Sequence, residues 1–396
     1  MRGMTAGILE KNRMVSLDII RGLAILGIFL VNMLSFHSPL LYIEPLEWWQ
    51  EPFDKWVYMF IDIFIGASFY PLFSMLFGYG LVMSWDRARK RGINFYPIIF
   101  RRLFLLLIIG LTHAFLIWHG DILFNYALLG FIFLFFIKLS GKRMLIIGSI
   151  FYLLPNLFLF SLLAFTMFIM GATDFSISKP TLISQSIEVY QTGSFLEITR
   201  QRIADWSYSN NLFGLLTQLF TLLPLFFIGA GVAKLKWLER VREHQKAFTI
   251  IFLIAFILGG LLKILPYILT NNLATSYVQD LFGGPLLAIA YGLVIALLAE
   301  KKGIRKGMIN FAYVGRMSFS NYLFQSIVAT LIFYGYGLGL YGKVSVTFGT
   351  LLVLMIYSGQ ILLSRLWLKF YYYGPAEWGW RNFTYWKKQK FLRKGE

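Results

Sequence analysis

An ionisable side chain at the centre of a membrane helix costs roughly 2.5–3.5 kcal/mol on insertion scales, so it must face protein or water. The residues that could do chemistry in this chain sit in such places. His113 lies ten residues into an apolar run that opens at Leu103, and His119-Gly-Asp121 forms the turn that follows it. Asp62 lies inside the preceding apolar stretch. Asn32 is eleven residues beyond Arg21, about 16 Å along a helix, and His37 follows it. Alternating crossings would bring all six to the same outer half of a membrane, where one water-filled pocket would account for them. A neutral imidazole paired with a carboxylate can take a proton from an attacking hydroxyl or amine. His113 or His37 could be that base, with Asp62 or Asp121 fixing its tautomer. His119 either shares in the chemistry or orients the turn. No serine elbow, no HExxH and no other metal spacing is present, and the chain has no cysteine. Direct transfer without a metal therefore fits better than a covalent enzyme intermediate.

The opposite half carries guanidinium groups. Arg21 stands three residues from Asp18, as an ion pair or as a phosphate contact. Arg101 and Arg102 open one apolar run, and Arg316 opens another within Gly315-Arg-Met-Ser318. Arg365 closes the last, and Arg316 and Arg365 are set among Ser320, Asn321, Gln325 and Ser364. Guanidinium groups at a polar inner mouth match a phosphate-bearing donor. The glycine-rich stretches 72–80 and 333–342 lack a preceding strand and a Walker lysine, so close helix packing is the better reading.

The elements that must position these groups are transmembrane helices. Of the 396 residues, 58% are hydrophobic and 14% charged, against about 25% charged in a soluble domain. Ten segments reach spanning length, near 17–36, 56–84, 103–119, 122–138, 144–171, 211–233, 247–270, 281–299, 312–337 and 344–368. The second, fifth and ninth are long enough to tilt, or to kink at Pro71 or Pro155. Twenty-eight of the 37 Lys and Arg fall in alternate loops and at the two ends, and five in the other loops. This places both termini in the cytoplasm. The first run has spanning length and no cleavage site, so it reads as a retained helix. The net charge of +18 is then a topology signal, and nucleic-acid binding is not expected. The expectation is an all-α polytopic helix bundle divided into a half at 1–171 carrying the candidate active site, an extracytoplasmic loop at 172–210 and a half at 211–396. An interfacial helix is expected late in the loop, ahead of the sixth span. The aromatic, basic tail from Tyr371 should lie on the inner surface over anionic lipid.

Several motifs together resemble the YeiB-like family of bacterial membrane proteins. They are Ser16-Leu-Asp-Ile-Ile-Arg-Gly22 leading to Val31-Asn32, Arg101-Arg-Leu103, Gly110-Leu-Thr-His113 and Trp118-His-Gly-Asp-Ile-Leu123. Gly315-Arg-Met-Ser318, Asn321-Tyr-Leu-Phe-Gln-Ser326 and Gly374-Pro-Ala-Glu-Trp-Gly-Trp-Arg381 complete the set, which spans the chain. The first-helix pattern is also similar to that of the heparan-α-glucosaminide N-acetyltransferase-like members of the transmembrane acyltransferase superfamily. That likeness implies transfer of an acyl group, in the first instance acetyl, from cytoplasmic acyl-CoA to an envelope glycan or lipid. Asn32 matches a functional Asn there, and His37 stands where a catalytic His is expected, at a shorter spacing. His113 belongs to the YeiB-like pattern and is the first candidate. The expected location is the bacterial cytoplasmic membrane, with membrane lipids as partners and a homodimer left open. The competing expectation is a transporter or lipid-handling protein without acyl-transfer chemistry.

Overall fold

The computed structural model describes residues 14–170, 178–269 and 271–393. The basic Arg2, Lys11 and Arg13 and the start of the long outer loop lie outside the described residues.

Apolar runs of this length can satisfy their backbone groups within lipid only as helices, and helices are what forms. The chain runs through α1 (Val15–His37), the short α2 (Pro45–Trp48), α3 (Pro52–Phe64), α4 (Phe69–Lys90), α5 (Phe95–Leu116), α6 (Leu123–Leu134) and α7 (Gly141–Met170). The outer loop folds into α8 (Pro180–Thr192) and α9 (Phe195–Ser209). Next come α10 (Leu212–Thr221), α11 (Leu223–Lys234), α12 (Gln245–Ile268), α13 (Leu273–Val278), a π turn (Gln279–Gly283) and α14 (Gly284–Ala299). The remainder comprises α15 (Lys302–Arg316), α16 (Ser318–Phe333), α17 (Val346–Phe370) and α18 (Pro375–Tyr385). Among the described residues, eight helical stretches are long and apolar enough to cross a membrane. Two shorter apolar helices, α6 and α16, fall within the fourth and ninth predicted spans. The protein is a multi-pass, all-α membrane bundle. Its outer surface bears the side chains lipid would meet, such as Phe135, Phe158 and Phe168.

Three predicted details differ. The second span bends not at Pro71 but at residues 65–68, where Ala67 adopts φ 52°. Pro71 sits in the first turn of α4, where its missing N–H breaks no helical bond. Pro155 stays within the continuous α7. The ninth span is broken at Met317, and the basic stretch before it is not a loop but the amphipathic α15. The outer loop holds two helices rather than one. Of these, α9 opens on a capping box in which Ser194 and Glu197 satisfy each other's backbone N–H.

α1 is the hub, packed against α4, α14, α15, α16 and α17. Its closest partner is α15, because Gly22 lies against the Phe311 carbonyl and Gly315 against that of Asp18. Likewise Gly78 of α4 and Gly229 of α11 each meet the other helix's backbone, at Phe226 and Met75. The packing role expected for the 72–80 stretch is therefore filled by Gly78. The 333–342 stretch is instead a turn with Gly339 and Gly342 at positive φ. The tail does not lie loose: α18 packs against α5 and α16, and a bridge pairs Tyr371 with Leu392.

Candidate functional site

A cavity of about 460 Å³ runs between α1, α4, α5, α6, α15, α16 and α18. At the end next to the basic loops it is lined by Arg21, Arg87, Arg102, Arg316 and Arg381, with Asp18 and Glu377 among them. At the other end it reaches Asn32, Gly120, Ile122 and Tyr322. The spacing of Arg21 and Asn32 on α1 sets its length at about 16 Å.

His113 and Asp121 meet. The imidazole Nδ1 is 2.8 Å from Asp121 Oδ2, and Asp121 Oδ1 accepts the Phe124 N–H at 2.9 Å. A carboxylate only accepts, so Nδ1 carries the proton and Nε2 presents a lone pair. The pair forms because α5 ends at Leu116 and the Trp118-His-Gly-Asp turn folds back over its last helical turn. Gly110 lets the Phe124 backbone approach. Both side chains are buried, His113 at 1% exposure. Among the described residues, Nε2 has no hydrogen-bond partner, and neither has the indole N–H of Trp118. The His113 ring lies 5.2 Å from the Tyr322 ring and 6.4 Å from that of Trp118. Tyr322 thus separates the dyad from the cavity that it lines.

The other candidates do not share this place, so the single wet pocket expected from sequence resolves into separate environments. Asp62 accepts from Tyr267 Oη at 2.7 Å and from Gln279 Nε2 at 2.5 Å. It sits near a buried Lys263 that pairs with Asp280 at 3.1 Å. His37 is enclosed by Trp49 and Phe333, and among the described residues neither ring nitrogen has a hydrogen-bond partner. His119 belongs to the outer cap formed by α8 and α9. Its Nδ1 is 3.3 Å from Tyr190 Oη, and its Nε2 is 3.5 Å from Ser35 Oγ. Asp205 ties this cap together by accepting from Tyr42 at 2.7 Å, Tyr190 at 2.7 Å and Gln201 at 2.8 Å. Burial holds His119 below its ordinary pKa, against the pull of Asp205.

Among the proposed donor contacts, Arg21, Arg102 and Arg316 line the cavity. Arg101 instead holds the tail, donating to the Thr384 carbonyl at 3.0 Å and facing the Trp386 ring. Arg365 is exposed on α17, away from the cavity. Asn321 and Gln325 turn toward α17, in a buried lattice with Gln360 and Ser364. Asn321 Nδ2 donates to Ser364 Oγ at 3.1 Å, and Gln325 Nε2 to Gln360 Oε1 at 2.9 Å. Sequence reasoning gave no site role to Arg87, Arg381 or Tyr322, although the last two lie in the motifs at 374–381 and 321–326. It also missed Glu377, whose carboxylate accepts the Phe319 N–H at 2.8 Å and the Ser320 N–H at 3.1 Å, and bonds the Ser320 hydroxyl. Burial pushes the Glu377 carboxyl up, and these hydrogen bonds oppose the shift.

Residues 232–387 match the family described as Protein of unknown function (DUF418). Across nearly its full length the chain is 37% identical over 400 residues to Uncharacterized protein YxaH of Bacillus subtilis, covering 98% of each. It is 30% identical over 401 residues to Uncharacterized protein YeiB of Escherichia coli, covering 95% of this chain and 97% of that one. An uncharacterized 39.9 kDa protein from the amylase 3' region of Bacillus acidopullulyticus is 27% identical over 405 residues. With a multi-pass bundle, a buried His–Asp pair and relatives matched end to end, this chain belongs to the YeiB-like family.

Proposed function

We propose that the protein is an acyltransferase of the bacterial cytoplasmic membrane, moving an acyl group, in the first instance acetyl, from cytoplasmic acyl-CoA to an extracytoplasmic glycan or lipid. The observation that carries this reading is the buried His113–Asp121 pair, packed behind Tyr322, which itself lines the far end of a cavity whose near end is lined by five arginines; movement of the Tyr322 ring would open the pair to that cavity.

The near end fits a phosphate-bearing donor, since five guanidinium groups outnumber the two carboxylates beside them. Acyl-CoA would supply a thioester already activated for transfer. His113 Nε2 would accept the proton of the acceptor hydroxyl as its oxygen bonds the acyl carbon. The carbon–sulfur bond breaks, and the imidazolium returns the same proton to the leaving thiolate. Asp121 keeps Nδ1 protonated and stabilises the imidazolium. Tyr322 Oη and Asn32 are polar groups at that end of the cavity and suit the developing charge on the acyl oxygen.

The test is purified protein in nanodiscs with radiolabelled acetyl-CoA and envelope acceptors. His113→Ala is expected to lower transfer by about 10²–10⁴-fold, the usual contribution of a general base, while CoA binding persists. Protein that binds no CoA, or transfers equally well without His113, would overturn the reading. A transporter is the second reading, favoured by helices broken at residues 65–68 and at Met317 beside the cavity. Acceptor or lipid flux through proteoliposomes without acyl transfer would support it.

A further inference from the structure

We infer that α18 is the gate of the cavity and that Glu377 is its latch, an internal anion occupying ground that the ligand's own anionic group must take. This rests on the cavity being a ligand path, as proposed above. It adds how that path is closed.

α18 is not a passive surface helix. Glu377, Trp380, Arg381, Thr384 and Tyr385 all line the arginine-rich end. The helix is fastened at three places. Glu377 bonds the first turn of α16 at Phe319 and Ser320. Trp380 donates its indole N–H to the Arg102 carbonyl at 3.0 Å while its ring faces the Arg102 guanidinium at 4.5 Å. Arg101 holds the Thr384 carbonyl from outside the cavity. One of these fastenings runs through the Arg102 guanidinium, so a ligand that draws that group away from the Trp380 ring also loosens the closure. The latch is a carboxyl on the same cavity wall as the arginines, held by the backbone N–H groups of Phe319 and Ser320, donors that a phosphate ligand would also take. Arg381, on α18 itself, stacks on Tyr373 at 4.4 Å and would move with the helix.

The chain has no cysteine, so a single thiol reports access. Ser84→Cys places one on the cavity wall, and its reaction with a small water-soluble methanethiosulfonate is timed in detergent-solubilised full-length protein. Glu377→Gln is expected to speed labelling at least fivefold, and Arg101→Met, which loosens α18 without touching the cavity wall, to do the same. Inorganic pyrophosphate should protect the thiol, at a concentration at least fivefold lower in Glu377→Gln than with Glu377 intact. A separate Ser186→Cys, buried on α8 in the outer cap, reports general unfolding and should react at one slow rate throughout. Equal Ser84→Cys rates in all backgrounds would overturn the gate, and so would Ser186→Cys accelerating in parallel. Equal pyrophosphate protection with and without Glu377 would overturn its role as competitor. No acyl donor is used, so failure of the acyltransferase reading would show only in the transfer assay.

Discussion

Lys263 illustrates the cost of charge at the level of single residues. Its side chain is fully buried, and its partner Asp280 is partly open. Removing only the lysine leaves a carboxylate without its cation in an apolar span, whereas removing both leaves neither charge. Lys263→Ala should therefore be less stable than Lys263→Ala/Asp280→Ala by about 1 kcal/mol or more and melt at a lower temperature. Equal melting temperatures would show that the pair is not coupled. Sequence could read His113 with Asp121 because only eight residues and one turn separate them. It could not read Asp62 with Tyr267 and Gln279, since those contacts bridge more than 200 residues. Nor could it tell that Arg87 and Arg381 line the cavity while Arg365 does not, because which neighbour a helix face meets is set by tertiary packing.

Among the elements, the outer cap carries a pH dependence. His119 is held neutral by burial among Tyr190, Ser35, Asp205 and Arg202. Its folded pKa lies below the ordinary 6.5, so below that pH the unfolded chain takes up a proton that the folded cap resists. The stabilisation is complete above about pH 6.5 and is lost as pH falls toward the folded value. The melting temperature should decline from pH 7 to pH 5, and His119→Gln should remove that part of the slope. An unchanged slope would exclude His119 as its source. The α4–α11 contact makes a second prediction. A valine at Gly229 would meet the Met75 backbone, which cannot retreat as a side chain can. Gly229→Val should cost at least 1–3 kcal/mol and lower the yield of folded protein in membranes. Element existence was legible from apolar run length. The breaks at 65–68 and Met317 were not, because they follow from tertiary contacts such as Gly284 against the Ala67 carbonyl.

For the whole molecule, charge distribution predicts orientation. Lys55→Cys should react with an impermeant maleimide on intact cells, while Lys246→Cys should react only after lysis. The reverse pattern would invert the topology and place the arginine end of the cavity outside. The bundle is not two independent halves side by side, because α1 packs against α15–α17 and α4 against α11. That interleaving governs biogenesis. α1 leaves the ribosome first, yet its closest neighbour begins at Lys302, a delay on the order of tens of seconds at 5–20 residues per second. Until then the face of α1 that seats α15, at Gly22 and the Asp18 carbonyl, is uncovered, and truncated chains ending before α15 should be substrates for membrane proteolysis.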